Sequence, residues 1–150
     1  VTPRHRPSLR CGQRSPYQAS YARRGPGARR ASRRRQHRFE TGAAVLFELR
    51  QYKIREGHKE NWVRLMEDEI IPFQVAQGMV ILGSFTGEDD DSIYVWIRRF
   101  KDEAERERLY EAVYDSDHWK ENIGPRIPEM MDREAINVIR LDPTAKSPLQ

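Results

Sequence analysis

At 150 residues the chain is sized for one domain with a substantial core, and its single cysteine, Cys11, rules out an internal disulfide. The net charge of +4 misleads, because twelve of the 27 basic residues are arginines within residues 1–39, where no Lys, Asp or Glu occurs. Fifteen basic residues remain against 23 acidic ones, so the folded part carries −8, which excludes a basic nucleic-acid-binding face there.

Residues 1–43 read as a disordered, Arg-rich extension, with Gly, Pro, Ser and Gln between the arginines. An acid-free, Ser-containing composition is that of an organelle transit peptide, but such peptides form amphipathic helices, which Arg24-Gly25-Pro26-Gly27 opposes. Arg29 to Arg38 would serve as a nucleic-acid-binding arm acting through phosphate charge alone. The favoured expectation is a third one: Val1 and arginine-only basicity fit a GC-rich upstream region translated from an early GTG start. No run approaches the roughly 18 apolar residues of a membrane span.

From Ala44 the pattern becomes regular, and residues 44–142 are expected to form the domain, with 143–150 a flexible tail. Val45 to Ile54 alternates as a strand, putting Phe47 and Leu49 on one side and Glu48, Arg50 and Tyr52 on the other. Glu56-Gly57 turns the chain into a helix striped by Trp62, Leu65, Met66, Ile70 and Phe73, which Pro72 kinks and Gly78 closes. Met79 to Thr86 reads as a second strand with a bulge at Gly83, and Gly87 to Ser92 as a hairpin turn. Ile93 to Phe100 alternates again, with Ile93, Val95 and Ile97 opposite Tyr94, Trp96 and Arg98. Asp102, with Glu105 three positions on, predicts a capped helix buried through Ala104, Leu109, Ala112 and Val113. A short helical turn with His118 and Trp119, a segment broken by Pro125 and Pro128, and a strand over Arg133 to Leu141 complete the order.

That order is β-α-β-β-α-β, an α+β, ferredoxin-like plan with two helices on one face of a four-stranded antiparallel sheet. The charged and aromatic rows are expected on the uncovered face, where Glu48, Arg50, Tyr52, Tyr94, Trp96 and Arg98 would meet a second copy of the chain.

Phe47-Glu48-Leu49-Arg50-Gln51-Tyr52, Gly57, Trp62, Pro72, Leu82-Gly83-Ser84-Phe85, Tyr94-Val95-Trp96, Arg99-Phe100, Glu105-Arg106 and Asp117-His118-Trp119 occur in an order that resembles the NIPSNAP family. The resemblance spans roughly residues 45–142 and implies a ferredoxin-like subunit that pairs with its twin as a dimeric α+β barrel. It further implies a cytoplasmic protein, as for bacterial members, or a mitochondrial one, as for animal members, if the Arg-rich extension is a transit peptide. Related barrels include small oxygenases and isomerases, an analogy of fold only.

The candidate ligand-binding residues are Glu48, Arg50, Tyr52, Tyr94, Trp96, Arg98 and His118. Arg50 suits a carboxylate or carbonyl oxygen and Glu48 a base, while the same pair would equally lock two sheets in register. Tyr52, Tyr94 and Trp96 suit an apolar pocket wall or a filled dimer core. His118 suits a proton shuttle or a haem ligand at the barrel mouth, against the commoner structural role beside Trp119. No metal or other cofactor is expected: the histidines lack ligand spacing, and Glu88 to Asp91 lack the alternation of a calcium loop. Nor is there a phosphate loop or a nucleophile with a base. The sequence therefore favours a homodimer binding a small, apolar, oxygen-bearing molecule, with cofactor-free oxygenase or isomerase activity left open. The alternative is a non-catalytic interaction protein whose barrel only dimerises it.

Overall fold

The computed structural model describes residues 45–150; the Arg-rich extension, Cys11, His5 and His37 lie outside them. Four strands, β1 (Leu46–Ile54), β2 (Val80–Thr86), β3 (Ile93–Phe100) and β4 (Met131–Leu141), form one sheet in the order β2-β3-β1-β4. Every neighbouring pair is antiparallel, which is the ferredoxin-like arrangement expected from the element order.

Between β1 and β2 the chain forms α1 (Lys59–Leu65), a widened π-type turn (Met66–Ile70) and α2 (Ile71–Ala76). Proline has no N–H and its ring crowds the carbonyl four residues back. Placing Pro72 just after the widened turn, where Ile71 N–H reaches Met66 O, lets the chain continue in helical form. Gly57 and Gly78, at φ of 75° and 101°, make the turns on either side of this helical segment, a backbone region that favours glycine. Helix α3 (Glu103–Tyr114) is capped as expected: Asp102 Oδ1 accepts from Glu105 N–H at 2.7 Å. The Glu105 carboxylate reaches one residue further back than a capping box requires, taking Lys101 N–H at 2.6 Å.

The segment punctuated by Pro125 and Pro128 is helical rather than irregular. A widened turn (Trp119–Ile123), a 3-10 turn (Gly124–Arg126) and α4 (Ile127–Met130) follow one another, and each proline opens its own short helix, where a missing N–H costs nothing. The bulge expected near Gly83 is present as a register shift between Ile81 and Gly83 against β3. A larger irregularity interrupts β4, where Gln51 pairs with Asn137 but Lys53 pairs with Asp132.

One expectation is overturned. The helices cover the side of the sheet that carries Glu48, Arg50, Tyr52, Tyr94, Trp96 and Arg98, all of which are buried. The uncovered side carries Leu49, Gln51, Val95, Ile97, Phe85, Ile139 and Leu141, with Phe85 56% and Ile139 43% exposed. The assumption behind the expectation was that charge avoids burial. Here the charge is buried because α3 brings enough partners to satisfy it.

A buried polar cluster between sheet and helices

Strand pairing builds the site as a ladder. Glu48 lies opposite Arg98, Arg50 opposite Trp96 and Tyr52 opposite Tyr94, so six side chains share one face of β1 and β3. The sequence correctly groups them together. Glu48, Arg50 and Arg98 are 1%, 2% and 0% exposed, which places three charges in the domain interior.

Glu48 is the hub. Its Oε2 accepts from Arg98 Nη2 at 2.5 Å and from the Tyr110 phenol at 2.7 Å, and lies 3.6 Å from Arg50 Nη1. Its other oxygen lies 3.5 Å from Arg106 Nη1. Burial alone pushes its carboxyl up, but the charges of Arg98 and Arg50 and the hydrogen bonds from Tyr110 and Arg98 outweigh burial and hold it below its ordinary value. Glu48 is therefore an anion at neutral pH.

Two tyrosines one turn apart on α3 complete the cluster. Tyr110 oxygen accepts from Arg50 Nη1 at 2.9 Å and from Arg98 Nη2, while Tyr114 oxygen accepts from Arg98 Nη1 at 2.9 Å. Arg98 Nη1 also reaches Gln74 Oε1 at 3.2 Å, and its guanidinium lies over Trp96 and Tyr110 with ring centroids 4.9 and 4.8 Å away. Burial disfavours the charge on Arg98, but Tyr110, Tyr114 and Glu48 more than offset that, so the guanidinium is held protonated even against repulsion from Arg50. Arg50 Nε donates to the Tyr52 hydroxyl at 2.7 Å. Tyr52, Trp62, Tyr94 and Trp96 then form an aromatic wall, with Trp62 edge-on to Tyr52 at 5.7 Å and to Tyr94 at 6.0 Å.

Four donors in this interior, Trp62 Nε1, Gln74 Nε2, Trp96 Nε1 and Arg98 Nε, have no acceptor among the described residues. From the cluster to solvent runs a chain of charge: Glu48, Arg106, Glu103, Arg140. Arg106 donates to Glu103 Oε1 through Nε at 2.9 Å and through Nη2 at 2.5 Å, and Arg140 pairs with the other Glu103 oxygen.

His118 is not part of this assembly. It is exposed, 4.8 Å from the Phe73 ring and 3.4 Å from Asn122 Nδ2. His58 begins α1, its carbonyl accepting from Trp62 N–H at 2.8 Å. Sequence reasoning missed Tyr110, Tyr114, Arg106 and Gln74. The spacing of Arg106, Tyr110 and Tyr114, at i, i+4 and i+8, marks one helix face; of the four residues expected on the buried side, Leu109 and Val113 are buried and Ala104 and Ala112 are not. Among the described residues no group of three or more His, Cys, Asp or Glu is arranged to hold a metal. No described helix is long and apolar enough to cross a membrane.

Such a sheet, with a buried charged ladder under its helices, defines a ferredoxin-like α+β protein of a recognisable kind. The NIPSNAP family model matches residues 47–148, and this chain belongs to the NIPSNAP family. A NIPSNAP family protein from Agrobacterium tumefaciens is similar in structure, at 23% identity and a TM-score of 0.63 over 71% of this chain and 99% of that one. A second Agrobacterium tumefaciens NIPSNAP family protein of unknown function has 21% identity and a TM-score of 0.65, covering 73% of this chain and 97% of its own. A NIPSNAP-like domain protein from Burkholderia xenovorans has 20% identity and a TM-score of 0.64, covering 71% and 91%. At these identities the likeness establishes the fold. No protein with a curated description matches the chain.

Proposed function

We propose that this NIPSNAP protein is a homodimeric small-molecule-binding barrel, in which two sheets pair through their open faces and each subunit holds an oxygen-bearing molecule between β1, β3 and the helices. The observation that carries the reading is the set of four buried donors without acceptors, Trp62 Nε1, Gln74 Nε2, Trp96 Nε1 and Arg98 Nε. An unsatisfied buried donor costs about 1–3 kcal/mol, and a ligand oxygen would offset that cost. The dimer is supported by the apolar open face, where Leu49, Ile97 and Ile139 lie side by side on paired strands. Isomerase or cofactor-free oxygenase chemistry would use the Glu48–Tyr110 hydrogen bond to move a proton.

Mass spectrometry of molecules released from the purified protein tests this reading. The expected result is one small molecule released in stoichiometric amount from the dimer, and its loss from an Arg50→Ala variant that remains dimeric. A second reading, an interaction protein whose cluster only braces the fold, is favoured by the saturation of Glu48 Oε2 by Arg98 and Tyr110. It prevails if nothing is released and Arg50→Ala lowers the unfolding midpoint of a protein that keeps its association state.

A further inference from the structure

The uncovered side of the sheet is not open along its whole length. Near one end, Leu141 of β4, Phe47 of β1 and Arg99 of β3 form a single cross-strand row. Pro143, which has no N–H to add to a ladder, comes two residues after Leu141, and the strand stops before it. The chain then folds on itself: Ser147 N–H donates to Thr144 O at 2.9 Å, and the Gln150 side-chain amide donates to Ser147 O at 2.7 Å and to Thr144 O at 3.3 Å. That compact turn brings the Gln150 main-chain oxygen to Arg99 Nε, which donates to it at 2.5 Å. Arg99 alternates with the buried Arg98 and Phe100, as Val95 and Ile97 do with their neighbours, so its side chain lies on the uncovered side. The tail therefore returns from the edge strand β4 to β3 on that side. Phe47 belongs to the same side, yet it is only 5% exposed, against 56% for Phe85 and 43% for Ile139.

Resting on the dimer proposed above, we infer that residues 142–150 are an autoinhibitory strap, which holds the Phe47 end of the face that a second copy of the chain takes and must be released before the two sheets close along it. Facing sheets pack roughly 10 Å apart, a space filled by the side chains of the two inner faces. A polypeptide segment lying on one face therefore takes the room of the partner sheet. The strap is loosely held. Among the described residues its hydrogen bond to the sheet is the exposed Arg99–Gln150 contact, and its other hydrogen bonds are internal to the tail. Because this competitor is part of the same chain, dilution does not remove it, and the apparent affinity of the dimer is reduced by the fraction of chains whose strap is released. Each subunit thereby limits how readily it pairs.

Analytical ultracentrifugation over a range of concentrations, on the full chain and on a chain truncated after Asp142, tests the inference. Truncation is expected to lower the dimer dissociation constant about tenfold, the effect of removing one competing hydrogen bond to a charged group, with an unchanged circular dichroism spectrum. Gln150→Ala, which loosens the turn of the tail without touching the sheet, is expected to act in the same direction by a smaller factor, and it decides the matter if the truncated chain misfolds. Arg99→Ala is expected to match truncation in the full chain and to add nothing in the truncated one, since both remove the same contact. An Arg99→Ala effect that persists in the truncated chain belongs to the sheet face itself and overturns the strap. An unchanged dissociation constant or a weaker dimer on truncation also overturns it, while the dimer stands. Full and truncated chains that both stay monomeric at every concentration overturn the dimer and the strap together.

Discussion

Tyr110 donates its phenol proton to Glu48 Oε2 across 2.7 Å, joining α3 to β1 over 62 residues of sequence. The same phenol oxygen accepts from Arg50 and Arg98. One hydroxyl therefore fastens a carboxylate and two guanidiniums to a helix, and in a low-dielectric interior each of those bonds is worth more than in water.

Removing that hydroxyl leaves three buried charged groups short of a partner. Tyr110→Phe is expected to destabilise the domain by about 2–4 kcal/mol, from hydrogen bonds to charged groups worth about 1.5–3 kcal/mol each, only partly replaced after relaxation. Tyr114→Phe removes one acceptor of Arg98 and is expected to cost about half as much. Urea unfolding followed by tryptophan fluorescence compares the two, and equal losses would show that Tyr110 is no hub.

The depressed acidity of Glu48 sets the direction of the acid response. Its carboxyl titrates lower in the folded protein than its ordinary value of 4.5. The unfolded chain therefore takes up the proton first as pH falls. The stabilisation is complete above about pH 5 and is lost as pH drops through 4.5 towards the folded value. Melting temperature measured between pH 7 and pH 3 is expected to fall steeply at the acid end. In Glu48→Gln that part of the fall is expected to disappear, on a baseline lowered by up to about 3–5 kcal/mol, the usual result of breaking a buried ion pair.

On the open face, Leu49 lies directly opposite both Ile97 of β3 and Ile139 of β4. A charge at the centre of this row would be buried in a dimer and solvated in a monomer. Ile97→Asp is expected to convert the proposed dimer to a folded monomer, read by light scattering on a sizing column with circular dichroism as the control, and a protein that is monomeric before the substitution overturns the proposed dimer. A substitution at Val75, exposed on α2, is expected to leave association unchanged.

The cap of α3 holds the tyrosines in place from a distance. Asp102→Ala removes the acceptor for Glu105 N–H and is expected to cost about 1 kcal/mol, the usual loss for an N-cap. Because Arg106 sits in the first turn of that helix, amide exchange should rise there before it rises at Tyr114.

The sequence by itself determined the order of elements, the family, the Asp102 cap and the grouping of Glu48, Arg50, Tyr52, Tyr94, Trp96 and Arg98 on one face. All of these are written in neighbouring residues: alternation with period two, a capping side chain three positions before its amide, glycines at the turns. Which way that face points was decided only by the tertiary structure. Alternation separates two sides of a strand without saying which one the helices cover, and the cost of burying charge argued for the wrong one. The answer depended on Arg106 and Tyr110, 58 and 62 residues beyond Glu48, whose arrival satisfies the buried carboxylate. No local pattern around residue 48 contains that information, because the groups that satisfy the charge belong to a helix that packs over it only in the folded chain.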